Sequence, residues 1–325
     1  MKMLVRIGCA LTCAFVIYTA ATVASAQSYP AKSIRLIVPY SPGGIVDYVG
    51  RLVGQRLSDA YGQNVVIDNR PGAGGIIGIE TAGKASADGY TLLIMDPAIV
   101  INPSLLPKVP YDINKNLIPV TILSNSPLVL AINAKVPAAN VQELVKLAQS
   151  QPGKLSFASA GVGTTPHMAG EFFKARIQQS IVHVPYKGSG PAMTDLIAGQ
   201  VQMTFSSITA ALPFIKDGRL RGLATTGARR AAALGNLPTM LESGFPGFEV
   251  DLWLGVFAPA STPKSVVATL NSEIKKALQN PTVAAGFEKV GAEPLGNTPQ
   301  DAAVYVRSEF AKWAKVINDG KLRAD

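Results

Sequence analysis

The chain has 325 residues, 48% of them hydrophobic and 16% charged, a formal net charge of +9, and two cysteines, Cys9 and Cys13. That length is enough for two well-cored domains. Both cysteines fall in an N-terminal leader, which excludes disulfide scaffolds, thiol catalysis and cysteine-ligated metals from the chain that follows.

The leader opens with Lys2 and Arg6 and continues through an apolar stretch, Ile7 to Tyr18, too short to span a bilayer. It ends on the small-x-small site Ala24-Ser25-Ala26. Residues 1–26 therefore read as a secretory signal peptide, leaving 299 residues that begin at Gln27. An anchor helix fits less well, because Thr12, Thr19, Thr22 and Ser25 interrupt the apolar run. Both cysteines also lie too early in that run for lipoprotein processing. Cleavage removes Lys2 and Arg6, so the formal charge becomes +7. A modest basic excess, spread without dense basic runs or interleaved aromatics, favours anionic small molecules or an anionic membrane surface and speaks against nucleic acid.

Ile34, Leu36, Ile37 and Val38 form a short branched run bounded by Pro39, the pattern of a strand buried on both faces of a parallel sheet. Tyr40, Ser41, Pro42, Gly43 and Gly44 follow as a small-residue turn. Helical spacing of Val46, Val49, Val53 and Leu57 then starts a helix near Ile45. Strand, glycine turn and helix start together aim bare N–H groups and a positive dipole end at whatever sits above the turn. A carboxylate or phosphate suits that place, and a side chain at Gly43 is expected to fill it. Asn64 to Asp68 is a second strand. It leads through the turn Asn69 to Gly75 into a helix reaching about Ser86, and Thr91 to Met95 is a third strand ending at Asp96-Pro97. This alternation calls for a parallel sheet with right-handed crossovers.

Val109 to Pro119 reads as loop, Leu128 to Ile132 as a strand, and Val141 to Gln149 as a helix. Leu155 to Lys174 repeats the opening logic: a strand through Ser159, a turn from Ala160 to Gly163, and a helix with Thr165 as cap and Pro166 in its first turn. Gly161 takes the same part as Gly43. Strands follow at Ile181 to Pro185, Val201 to Phe205 (ending at Ser206-Ser207), Leu220 to Thr225 and Trp253 to Ala258. A further helix entry lies at Tyr186 to Pro191. Pro263–Gln279, Pro281–Val290 and Pro299–Lys315 read as amphipathic helices, with Tyr305, Phe310 and Trp313 as core or docking anchors. If the chain crosses between domains near Leu128 and returns near Trp253, the two strand–turn–helix units open onto one cleft, where open α/β sheets bind ligands.

Two motifs fall short. Gly72-Ala73-Gly74, with Asp96 downstream, approaches a dinucleotide turn, but Ile77 stands where Gly or Ala is wanted. Gly78 with Gly83-Lys84 has P-loop spacing, but Ala85 replaces the magnesium-binding hydroxyl. His167 and His183, the only histidines, lack metal spacing, and no serine sits in a nucleophile elbow. No cofactor or metal is therefore expected. His183 reads as structural. His167 reads equally as a ligand hydrogen-bond partner or as a cap or packing group. Arg70 and Lys187 are split between pairing with a ligand carboxylate and tying the turns. Asp96 would repel an anionic ligand if it faced the cleft, so it either orients a donor from behind or receives a ligand hydroxyl or ammonium.

Taken together, YPAKSIRLIVPYSPGGIVD, VVIDNRPGAGG, ADGYTLL, INPSLL, FASAGVGTTPHMAGEFF, VHVPYKGSGPAMTDLIAGQVQ, LPTMLESGFPGFE and FAPASTPKSVV resemble the receptors of tripartite tricarboxylate transporters, also called Bug proteins. The resemblance runs in order over essentially the whole exported chain. It implies an α/β, type II-like flytrap in the periplasm, with parallel-core sheets and flanking helices. One domain spans 27–126 plus 254–325 and the other 127–253. The implied receptor is monomeric, not an enzyme, and delivers a carboxylate to an integral membrane permease pair.

The resemblance further implies that Tyr40, Ser41, Gly43 and Gly44 hold the ligand carboxylate with Ser159, Ala160, Gly161, Thr164, Thr165 and His167, and that Ser206 and Ser207 line the pocket. Ser206-Ser207 departs from the Asp-Asn pair of many relatives, which argues against an amino-acid ligand. Asp96-Pro97-Ala98 departs from a Gly/Thr/His-rich stretch. With Tyr40 near, a dicarboxylic or aromatic acid is the expected ligand. Two rival readings stand: an exported enzyme acting on a carboxylated substrate with His167 as base, and the ligand-sensing partner of a signalling receptor.

Overall fold

Ile34–Val38 forms β1, paired in parallel with β2 (Val65–Asn69) on one side and β3 (Thr91–Met95) on the other. The apolar run is buried on both faces, as its composition requires. A computed structural model describes residues 29–319 together with Leu322 and Ala324, and the expected signal peptide lies outside the described residues.

Helix α1 (Ile45–Tyr61) packs back on β1, with Gly50 letting its backbone approach Val38 and Ile94. Gly62, at φ 61°, ends the helix and accepts the left-handed conformation a side chain would resist. A short 3-10 turn, Ala73–Gly75, precedes α2 (Ile76–Gly83). Helix α3 (Ala98–Leu105) follows β3 directly and buries Ala98 to Ile101 completely. A four-residue helix α4 (Ile113–Asn116) then leads into β4 (Leu117–Asn133).

β4 organises the molecule. Its 17 residues span about 55 Å at roughly 3.3 Å each. Its first part pairs antiparallel with β9 (Asp251–Pro259), from Leu117↔Pro259 to Pro127↔Asp251. Its second part pairs antiparallel with β7 (Met203–Ser207) and β8 (Leu220–Thr225). In the second half of the sheet β5 (Ser156–Ser159) is parallel to both β6 (Val182–Pro185) and β7. The strand order is β2-β1-β3-β9-β4-β7-β5-β6, with β8 and the short β10 (Glu293–Pro294) also on β4. The fold is thus α/β, with two parallel cores joined by antiparallel strands and flanked by helices.

The helices of the second half are α5 (Val141–Ser150), α6 (Thr165–Ile177), α7 (Ser189–Ala198) and α8 (Ile208–Lys216). The chain closes with α9 (Lys264–Gln279), α10 (Pro281–Lys289) and α11 (Pro299–Asp319). Trp253, fully buried, donates its indole N–H to Glu309 of α11 at 3.0 Å and meets the Tyr305 ring edge-on. Trp313 is buried as an anchor should be, but Phe310 is 38% exposed and is not part of the core.

Two further expectations change. The loop expected from Val109 to Pro119 contains α4 and the start of β4, and the strand expected at Leu128 to Ile132 is only the far end of a much longer one. Pro119 and Pro127 hid it. The register shifts next to Pro119, and Pro127 stands at the seam between the two halves, places where a missing N–H does least harm.

Candidate functional site

The C-terminal ends of β1, β3 and β7 converge with the turn after β5 on a small cavity of about 20 Å3. Gly44, Ile45, Val46 and Asp47 line it from the start of α1, Ala160 and Pro166 from the turn and first residues of α6, Ser189 from the start of α7, and Ser207 from the start of α8. Tyr40, Asp96 and Leu252 complete the wall. Four helix N-termini therefore meet at one small space. No side chain caps α1, α6 or α7; only α8 is capped, by Ser207 accepting from the Ala210 amide. First-turn N–H groups and the positive ends of the helix dipoles face the space, and no lysine, arginine or histidine lines it.

Two acids face this space differently. Asp47 lies in the first turn of α1, accepting from Arg51 at 2.9 and 3.1 Å and from the Asn69 amide at 3.0 Å. Burial raises its pKa, but those bonds outweigh it and hold the carboxyl below its usual range. Asp96 is 3% exposed and has no cation beside it among the described residues. Tyr40 Oη donates to Asp96 Oδ1 at 2.8 Å and the Ala98 amide donates to the same oxygen at 3.1 Å. Burial dominates, and the pKa of Asp96 is pushed up to about 6. Burial, and next the Asp96 charge, raises Tyr40 well above its ordinary value, so its hydroxyl stays protonated.

The turns that surround the cavity touch one another through backbone. Ser41 N–H donates to Lys187 C=O at 3.0 Å. A Cβ on Gly190 would lie 2.5 Å from the Pro42 carbonyl oxygen, and one on Gly74 would overlap the Val162 carbonyl. A larger groove, about 610 Å3, lies between Asn125–Pro127, Gly227–Ala233 and Ala284–Pro294. It gathers no helix N-termini, so the smaller cavity is the better candidate for an anion.

The family model for the tripartite tricarboxylate transporter family receptor, TctC, matches residues 49–322. The chain belongs to that receptor family. It is 37% identical over 297 residues to protein BugT of Bordetella pertussis (strain Tohama I), covering 91% of each chain. Among solved structures, it resembles R. palustris Rpa4515 with adipate at 36% identity and a TM-score of 0.88, over 91% of this chain and 99% of that one. It also resembles MatC (Rpa3494) from Rhodopseudomonas palustris with bound malate, at 29% identity and a TM-score of 0.85, over 89% and 100%.

Of the expected ligand-binding residues, Tyr40, Gly44, Ala160 and Ser207, which the resemblance pointed to, and Asp96, which it did not, line the cavity. The others stand around it. Ser41 spends its amide on Lys187, and Gly43 donates to Asp47 at 3.4 Å. A Cβ at Gly43 would make an ordinary 3.6 Å contact with Gly190, and one at Gly161 would crowd the Tyr186 carbonyl and Gly74, so both positions lie at the contact between turns. Thr164, not Thr165, occupies the N-cap position of α6, and its hydroxyl donates to Gly161 C=O at 2.7 Å. Thr165 Oγ1 is fully buried without a hydrogen-bond partner among the described residues. Ser206 is buried within β7 opposite Val129.

His167 is fully buried behind the turn, where the Gly163 amide donates to its Nδ1 at 3.1 Å. Its ring stacks on His183 at 4.1 Å, and His183 stacks on Phe157 at 4.7 Å and lies 2.6 Å from Ser159 Oγ. Burial, with smaller help from the charges of His183 and Lys174, lowers the His167 pKa to about 3, so the ring is neutral and holds the turn. Arg70 pairs with Asp68 on the surface, and Lys187 contributes its carbonyl to the turn contact. Ser189 was missed as a lining residue, although Gly188-Ser189-Gly190-Pro191 carries the same glycine-turn signature as the other two sites. Nothing in the local pattern of Leu252 announces its place.

Proposed function

We propose that the chain is an exported, monomeric receptor that closes on a small dicarboxylate and passes it unaltered to the membrane permease of a tripartite transporter. Its lobes would be 27–126 plus 254–325 and 127–253, hinged where β4 and β9 cross. The observation that carries this reading is the convergence of four helix N-termini on a cavity without a basic side chain. Such a site suits a carboxylate, because amide donors and dipoles stabilise the charge without a counter-ion that would hold it too firmly for release. The relatives solved with adipate and malate both hold diacids, which favours two acid groups over one.

Magnitudes agree. Hydrogen bonds to a charged acceptor contribute roughly 1.5–3 kcal/mol each, and each helix terminus about 0.3–1 kcal/mol, up to ~2 when partly buried. A few of these reach the roughly −8 kcal/mol of micromolar binding after ordering costs. No step of bond making is required, and a neutral, fully buried His167 is unsuited to act as a base on a bound ligand.

A thermal-shift series with C4 to C8 diacids, monoacids and aromatic acids tests this directly. Concentration-dependent stabilisation by diacids, with the ligand recovered unchanged, is expected. A folded protein that ignores every acid in the series would sink the proposal.

A further inference from the structure

We propose that Asp96 receives the second acid group of a dicarboxylate as a hydrogen-bonded acid pair sharing one proton, so that the receptor takes up its ligand together with a proton. This rests on the reading of the cleft as a dicarboxylate site.

The geometry carries it. Asp96 lines the same cavity as the helix termini, and it is buried. Tyr40 and Ala98 both donate to Oδ1, which leaves Oδ2 to carry the shared proton. Two carboxylates brought into contact in a buried space cannot both stay ionised. An arginine or lysine would ordinarily compensate them, and none lines this cavity. A proton is the counter-charge that remains. The ligand-free site already leans that way, since burial outweighs the hydrogen bonds Asp96 accepts and lifts it to about 6.

The neighbouring groups leave this titration to Asp96. Tyr40 and Tyr111 are both raised by burial and keep their protons. Asp47, on α1, is held ionised by Arg51 and Asn69. The other elements facing the cavity present Ala160, Pro166, Ser189, Ser207 and Leu252, none of which titrates. The proton balance is simple: the acid pair gains one proton from solvent on binding and returns it on release.

Calorimetry with adipate and with malate, in phosphate and in Tris, between pH 6 and 8.5, tests the inference on the wild-type chain and on Asp96→Asn. Wild type should take up close to one proton per ligand at pH 8, seen as a buffer-dependent heat. Its affinity should fall up to about tenfold per pH unit above pH 6.5. Asp96→Asn, which keeps a hydrogen-bonding side chain of the same shape, should bind with no proton uptake and a flat pH profile. Wild-type binding that is independent of pH and buffer would overturn the inference and leave the dicarboxylate reading standing. So would an Asp96→Asn variant with the wild-type slope, because the proton would then reside elsewhere. No binding of either diacid at any pH would overturn the dicarboxylate reading itself, and the inference with it. The wild-type buffer dependence decides the matter even if the variant does not fold.

Discussion

The amide of Ser41 donates to the carbonyl oxygen of Lys187 at 3.0 Å, joining the turn after β1 to the turn that opens α7. Around that bond the glycines of both turns lie backbone to backbone: Gly43 faces Gly190, and Gly188 faces Ser41. These glycines therefore serve the fit between the two halves of the sheet as much as any bound anion.

Gly190 gives the cleanest test of that fit, because its φ is not in the left-handed region and the contact alone is disturbed. Gly190→Ala should still fold, with some loss of stability, because its Cβ would lie 2.5 Å from a backbone oxygen that must then shift. Its Cβ would press on the Pro42 carbonyl and hold the turns apart. Diacid affinity should drop about tenfold or more, roughly 1.4 kcal/mol, with a larger radius of gyration by small-angle scattering. Wild-type affinity and radius would show that the turns need not meet.

Thr226 fixes the crossing of the two central strands. Its hydroxyl accepts from the Leu128 amide at 2.8 Å and donates to Val250 C=O at 2.5 Å, and the residue is fully buried. Thr226→Val leaves both backbone groups without that partner. A loss of about 1–3 kcal/mol in denaturant unfolding is expected.

Asp96 should make the ligand-free protein less stable in base than in weak acid. Its folded pKa, about 6, lies above its ordinary 3.8, so the folded state holds this proton more tightly than the unfolded chain does. The penalty grows as pH rises from about 4 to 6 and is constant above that. Asp96→Asn removes it. At pH 8 the variant should gain about 2–3 kcal/mol over wild type, and at pH 4 almost nothing. Unfolding curves at the two pH values read the difference.

His167 acts in the opposite direction. Its pKa falls from 6.5 to about 3, so stability is complete above pH 6.5 and is lost as pH falls toward 3. A loss of about 4 kcal/mol by pH 3.5 is expected from this group. His167→Asn keeps an acceptor for the Gly163 amide and should flatten that acid limb. It should also cost roughly 0.5–1.5 kcal/mol at pH 7 for the lost ring stacking. An unchanged acid limb would show that His167 is not the group responsible.

Much of the fold was legible because short apolar runs, glycine turns and helix starts are local signals. β1, β3 and β8 fall at their expected residues, and α6 begins at Thr165 with Pro166 beside it. The length of β4 was not legible: two prolines interrupt the pattern, and only pairing with β9 makes their places tolerable. The cavity was half legible. Tyr40, Gly44 and Ala160 stand at strand–turn–helix junctions that sequence marks plainly. Leu252 enters through a long-range return of the chain. His167, in a first helical turn, reads equally as a ligand partner or a packing group, and only the long-range stacking on His183, itself stacked on Phe157, decides for packing.

The central claim concerns where a ligand carboxylate rests, and a crystal structure of the adipate complex measures that most directly. One carboxylate should lie with its oxygens about 3 Å from first-turn N–H groups of α1 and α6, and no lysine or arginine should reach it. Adipate seated outside this cavity, or gripped there by a basic side chain, would contradict the claim.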